Sequence, residues 1–129
     1  MPQSLAHISL VVNNYDEAIK FYTEKLHFTL IEDTVLSPDK RWVIVAPPGN
    51  TGASLLLAKA NNEEQQSRVG NQTGGRVFLF LYTDDIKRDH KNLLDKKVTI
   101  VREPVTQSYG TVLVFADLYG NLWDLIEPK

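Results

Sequence analysis

The chain contains no cysteine, which excludes disulfides, thiolate metal ligands and a cysteine nucleophile, and leaves any chemistry to histidine, carboxylate and hydroxyl groups. Three histidines are available. His7 opens the strand-like run HISLVV, where an imidazole is either a metal ligand and acid/base group or a hydrogen-bonded strand residue with no catalytic task. His27 and His90 fall on helical segments or their ends among charged neighbours and read as surface residues. Asp124, inside the last strand-like run LWDLIE, is either a functional carboxylate or a polar group at a sheet edge.

The elements that must position these groups belong to a chain of ordinary globular composition. With 129 residues, 43% hydrophobic and 23% charged, it is long enough to bury one core without disulfides or a structural metal. Fourteen basic against sixteen acidic side chains give a net charge of -2, so neither nucleic acid nor an anionic membrane surface is an expected partner. No apolar run is long enough to cross a bilayer, and Met1-Pro2-Gln3-Ser4 leads into a strand without a secretory pattern, which makes the cytoplasm the expected location.

The chain reads as the same unit written twice, a single domain over 1–129. In the first unit, residues 1–60, HISLVV is a strand and Asn14 caps a helix over 15–26 with Ala18, Ile19, Tyr22 and Leu26 on one face. Strands follow over 28–35, 42–46 and 53–59, separated by turns at Ser37-Pro38-Asp39-Lys40 and Pro47-Pro48-Gly49-Asn50. In the second, residues 77–129, FLFLYT over 78–83 is a strand and Asp84 caps a helix carrying Ile86, Leu93 and Leu94. Strands over 98–102, 111–116 and 122–127 complete it. Between the units lies a polar, glycine-containing stretch, 61–76, which reads as a structureless linker, either a solvated tether or a flap.

Three motifs carry a family resemblance: His7-x-x-Leu10-x-Val12, Ala18-Ile19-x-Phe21-Tyr22-x-x-x-Leu26-x-Phe28, and Asp117-x-x-Gly120-Asn121-x-x-Asp124-Leu125. Together they make nearly the whole chain resemble the vicinal oxygen chelate superfamily of glyoxalase I, bleomycin-resistance proteins, fosfomycin-resistance enzymes and extradiol dioxygenases. The resemblance implies an α+β fold in which two tandem βαβββ modules form an open, curved, barrel-like sheet around a cavity, with helices on the convex side. Alternation would then turn His7 and Ser9 toward the cavity in the first module, and Phe78, Phe80 and Tyr82 in the second.

Glyoxalase-type members hold a divalent metal with one side chain from the first and last strand of each module. On this sequence those positions fall at His7, Leu56, Phe78 and Asp124. Leu56 and Phe78 have no lone pair to donate, so the resemblance implies an incomplete metal site with His7 and Asp124 as its only ligands. Leu56 cannot serve as the metal-bound base of a glyoxalase reaction either. The expected cavity is correspondingly apolar, lined by His7, Ser9, Trp42, Ser54, Leu56, Phe78, Phe80, Tyr82, Tyr109 and Asp124. Arg41, beside Trp42, reads as a solvated turn residue in preference to a partner for a ligand carboxylate.

Two functions stay open. One is a binder of a small, largely apolar organic molecule, similar to the bleomycin-resistance branch and working without a catalytic metal. The other is an enzyme: a metal-dependent lyase or dioxygenase with an atypical ligand set, or a metal-independent acid/base catalyst using His7 and Asp124. The resemblance further implies a homodimer.

Overall fold

A computed structural model describes all residues, 1–129. Its elements run β1 (His7–Val12), α1 (Tyr15–Lys20, continued as a π-helix over Phe21–Lys25), β2 (Thr29–Ser37), β3 (Lys40–Ala46), β4 (Ser54–Lys59), α2 (Glu63–Arg68), β5 (Val77–Tyr82), α3 (Ile86–Asp95), β6 (Ile100–Gln107), β7 (Gly110–Ala116) and β8 (Leu122–Pro128). The fold is α+β, two tandem βαβββ modules, each with an open four-stranded mixed sheet. The chain separates into two compact units, 1–69 and 70–129.

In the first unit the strand order is β1-β4-β3-β2. The outer pair β1 and β4 is parallel, with Ser9 opposite Leu56, and β3 is antiparallel to both β4 and β2. Leu10, Val12, Val43, Val45, Leu55 and Leu57 are buried on the face that α1 covers with Ala18 and Tyr22. The second unit repeats this order as β5-β8-β7-β6, with Phe80 opposite Asp124. Leu113, Phe115, Trp123 and Leu125 are buried beneath α3, whose Ile86 and Leu93 face them.

Helix ends show how local chemistry and tertiary packing divide the work. Asn14 caps α1, its side chain accepting from the Glu17 amide at 2.9 Å. Both module helices stop at a non-glycine residue in the left-handed region, His27 (φ 59) and Lys97 (φ 60). That backbone is uncommon for a residue with a Cβ. It is held after α3 by the amide of Val98 donating to Leu93 O (2.9 Å) and that of Lys97 to Leu94 O (3.1 Å), with Val98 and Leu93 both buried. After the first helix the equivalent bond spans one residue more, Phe28 N to Tyr22 O at 2.9 Å, because the last turn is π-helical.

Four expectations change. The helix over 15–26 widens into a π-turn from Phe21, which apolar spacing does not reveal because period 3.6 and a single wider turn bury the same residues. The cap of α3 is Asp85, not Asp84: Asp85 accepts from the Arg88 amide at 3.0 Å, while Asp84 pairs with the Arg88 guanidinium at 2.8 Å. The stretch 61–76 is not structureless, since Asn62 caps the short helix α2 by accepting from the Gln65 amide at 2.8 Å. Finally, β6 continues past Arg102 to Gln107 despite Pro104, because it is an edge strand and its register breaks between Arg102 and Val105.

The turn before β8 is built on one buried carboxylate. Asp117 Oδ1 accepts from the amides of Tyr119, Gly120 and Asn121 at 2.9–3.0 Å, and Oδ2 accepts from the Asn121 side chain at 2.9 Å. Gly70 (φ 76) packs on the same turn, so closely that a Cβ there would lie 1.9 Å from Tyr119 O. Replacing Asp117 by Ala removes the side-chain acceptor of three amides and a carboxamide, of which the Gly120 amide alone keeps the Asp117 carbonyl, and is expected to lower stability by about 2–4 kcal/mol. Gly70→Ala is expected to lose roughly 2–3 kcal/mol, and Gly74→Ala, which faces open space, about 1 kcal/mol. Urea unfolding of the three variants checks the order.

Candidate functional site

The sheet face opposite α1 carries the first module's candidate residues. His7 pairs with Ser54 and Ser9 with Leu56 along the parallel ladder, and Leu56 pairs with Ile44, two residues from Trp42 on the same face. His7, Ser9, Ser54, Leu56 and Trp42 therefore share a face. The His7 and Trp42 rings meet edge to face with centroids 5.9 Å apart. At the end of this sheet, where β4 leaves toward α2 and the β2–β3 turn closes, lies an open cleft of about 660 Å³. Trp42, Leu56 and Ala58 line it from the sheet, Tyr15 from the start of α1 and Gln65 from α2. That volume suits a small organic molecule.

In the second module Asp124 stands between Phe80 on β5 and Val114 on β7, with Arg102 opposite Val114 on β6. Phe78 falls at the register shift between Val77, opposite Leu122, and Leu79, opposite Trp123. Phe80 and Tyr82, on the Asp124 face, are 65% and 73% exposed, far more than aromatic side chains filling a core. Burial pushes the Asp124 carboxyl above its ordinary range, and the charge of Arg102 opposes that shift. Tyr109 is not among this group. It sits in the β6–β7 turn, where its carbonyl accepts from the Lys129 amide, and lies roughly 16 Å along the ladder from Asp124 at 3.3 Å per residue.

Arg41 differs most from its reading as a solvated turn residue. It belongs to β3, and its guanidinium forks onto Asp33 of β2, Nε to Oδ1 at 3.1 Å and Nη2 to Oδ2 at 2.7 Å. Nη1 donates to Asp16 at 3.0 Å, the guanidinium lies 5.1 Å from the Tyr15 ring, and the Arg41 amide donates to the Tyr15 hydroxyl at 3.2 Å. Sequence alone hides this because Asp33 and Arg41 become diagonal neighbours only once β2 and β3 pair in this register. The Arg41 guanidinium beside Asp33 holds that carboxyl below the usual carboxylate range. The cluster fixes the β2–β3 hairpin and the start of α1 against each other, and with them one wall of the cleft.

His27 is exposed, as read, and serves to end the helix. His90 is only 24% exposed and its Nε2 lies 3.3 Å from Glu103 Oε2 of β6, a pairing that the charged surroundings of both residues in sequence do not disclose.

A divalent metal of the glyoxalase type would draw on His7, Leu56, Phe78 and Asp124. Leu56 and Phe78 offer it nothing, and no three His, Asp or Glu side chains are grouped to hold an ion. The donor set does not fit a catalytic metal, which wants about three protein ligands.

Residues 4–125 match the family model of the Glyoxalase/Bleomycin resistance protein/Dioxygenase superfamily, and the chain belongs to that family. It is 60% identical over 128 residues to an uncharacterized protein of Shewanella frigidimarina strain NCIMB 400, covering 98% of this chain and 95% of that one. Among solved structures it is similar to UcmS2, with a TM-score of 0.86 and 29% identity over 98% of this chain and 99% of the other. It is also similar to TnmS3, an antibiotic binding protein from Streptomyces sp. CB03234, with a TM-score of 0.81 and 28% identity over 99% and 98% of the two chains.

The depressed pKa of Asp33 gives a pH prediction with a definite sign. The folded state binds this proton less tightly than the unfolded one, so the contribution of the Arg41 pair is present above the unfolded carboxylate value and is lost as pH falls through the folded one. Asp33→Asn is therefore expected to be less stable than the parent at about pH 6 and to converge with it toward about pH 2, measured by urea midpoints across the range. Asp124 carries the opposite sign: its raised pKa makes ionisation unfavourable to the folded state as pH rises. Asp124→Asn is expected to gain stability relative to the parent as pH rises from acid to neutral, measured by urea midpoints across the range.

Proposed function

We propose that this protein binds a small, largely apolar organic molecule without a catalytic metal, as a homodimer in the cytoplasm, with the chain 1–129 acting as one domain. The observation that carries the reading is Leu56. An aliphatic side chain occupies the position where a glyoxalase-type member places a metal ligand, and there it lines a cleft of about 660 Å³ beside Trp42. The same substitution that removes the metal ligand supplies apolar wall. In the second module Phe78 takes the corresponding first-strand position, and that module exposes the rings of Phe80 and Tyr82 on its own sheet. The similarity to TnmS3, an antibiotic binding protein, supports a binder over a lyase or dioxygenase.

A second reading, acid/base catalysis by His7 and Asp124 without metal, is favoured by one observation only, the raised pKa of Asp124. A substrate would have to bring the two groups to one reacting centre.

Metal content and ligand binding test the two readings together. Elemental mass spectrometry after incubation with nickel, zinc, manganese or iron(II) is expected to find no stoichiometric ion. One ion per chain, lost in His7→Ala, would overturn the metal-free reading. Thermal shift against a panel of aromatic antibiotics is expected to raise Tm for some members, through preferential binding to the folded state, and to do so less for Leu56→Glu. Turnover of a bound compound that stops in both His7→Ala and Asp124→Asn establishes the enzyme instead.

A further inference from the structure

The module helices begin at equivalent points, Tyr15 after the cap Asn14 and Ile86 after the cap Asp85, but the central strand pairs of the two sheets differ. In the second module β7 and β8 stay paired along their length, from Ala116 opposite Leu122 to Gly110 opposite Pro128. In the first, β3 and β4 pair only at Val45–Leu55, Ile44–Leu56 and Val43–Leu57, and the ladder stops there although both strands run on. Leu56 and Asp124 hold equivalent positions, so the pairs missing from the first module, Trp42–Ala58 and Arg41–Lys59, correspond to Val112–Ile126 and Thr111–Glu127, which the second module makes.

The break coincides with Tyr15. The Arg41 amide, which the next rung of the ladder would direct to the Lys59 carbonyl, donates instead to the Tyr15 hydroxyl at 3.2 Å. The main-chain groups of Lys59 face β3, because the adjacent Ala60 amide donates to Val12 O of β1 at 2.9 Å and consecutive residues of a strand direct theirs to opposite sides. Tyr15 is buried, so its hydroxyl acts inside the fold, and Ile86 in the equivalent place has no hydroxyl to divert a rung. The cleft of about 660 Å³ lies at this opening, with Arg41 and Trp42 lining it from one strand and Ala58 and Lys59 from the other.

The geometry points to Tyr15 as the positioning residue that holds the β3–β4 ladder open and to the Lys59 carbonyl as the acceptor that the opening leaves for a ligand, which is therefore an apolar ring compound bearing a hydrogen-bond donor such as a secondary amide N–H. The inference rests on the binding reading above and adds its directing polar contact. The ring packs on Trp42 and Leu56, and the donor takes the place in the ladder that the Arg41 amide has given up. A ligand that covers the opening without a donor strips water from the carbonyl and returns nothing, which costs affinity.

The test is NMR on the isotope-labelled full chain with two probes of one shape, N-methyl-2-naphthamide and methyl 2-naphthoate, which differ in having an N–H or an ester oxygen at the same place. Facing residues of a non-hydrogen-bonded antiparallel pair bring their Hα atoms together, so the parent is expected to show the Val112–Ile126 Hα–Hα NOE and to lack the Trp42–Ala58 one. The parent should bind the amide about five-fold more tightly than the ester, with the amide alone moving the Lys59 carbonyl carbon resonance. In Tyr15→Phe the Trp42–Ala58 NOE should appear and the amide preference should vanish, while an unchanged Val112–Ile126 NOE shows that the variant is folded. A Trp42–Ala58 NOE in the parent, or an amide preference that survives in Tyr15→Phe, overturns the role of Tyr15. Equal affinities, or an amide that moves the Gln65 carboxamide and leaves the Lys59 carbonyl in place, overturns the acceptor and leaves the apolar binding reading standing. The parent measurements decide these points independently of how the variant folds. Failure of both probes to bind the folded parent counts against the apolar binding reading itself.

Discussion

Parallel pairing of the first strand of each module with its last ties the structure together. A parallel pair cannot be closed by a tight turn and needs a crossover, and here the crossover is a helix followed by an antiparallel hairpin. The helix can only lie on one face of the sheet, where Leu10, Val12, Leu55 and Leu57 of the first module, and Leu113, Trp123 and Leu125 of the second, are buried. The alternate side chains of the same strands are then turned to the other face. Ser9 beside Leu56 and Phe80 beside Asp124 are equivalent pairs set by that one register. A slip by one residue would exchange core and site residues in both modules.

With the register fixed, the two modules have diverged in what they present. The first offers His7 against Trp42, with Leu56 and a cleft edged by lysines. The second offers one carboxylate among exposed rings. Their turns have diverged as well: Asp117 organises four donors in the second module, where the first has Pro47-Pro48-Gly49 and lets Asn50 bond to the carbonyls of Gly52 and Ala53. The opposite faces are not uniform, since Ile44, Val112, Val114 and Ile126 on them are buried while Phe80 and Tyr82 are exposed.

Charge follows a similar division. Arg41, which lines the cleft, is taken up by Asp33 within the β2–β3 hairpin and by Asp16 at the start of α1. Reading Arg41 as a turn residue missed this, since the feature that decides its role is a carboxylate eight positions away on the neighbouring strand.

The sequence by itself determined the repeat, the α+β order of elements, the family and the faces of the strands. Each of these depends on short-range patterns: alternation with period two, helical spacing, caps such as Asn14 and the Asp117-x-x-Gly120-Asn121 turn. It also showed that Leu56 and Phe78 cannot ligate, because that is a property of residue type. Tertiary structure decided the π-turn at Phe21–Lys25, the left-handed helix ends at His27 and Lys97, the persistence of β6 through Pro104 and the partners of Arg41 and His90. It also separated Tyr109 from Asp124 and brought Lys40, Lys59 and Gln65 to one cleft. The helix ends are closed by bonds over three to six residues, but the partners of Arg41 and His90, the course of β6 and the residues of the cleft depend on proximity that exists only after the strands have paired.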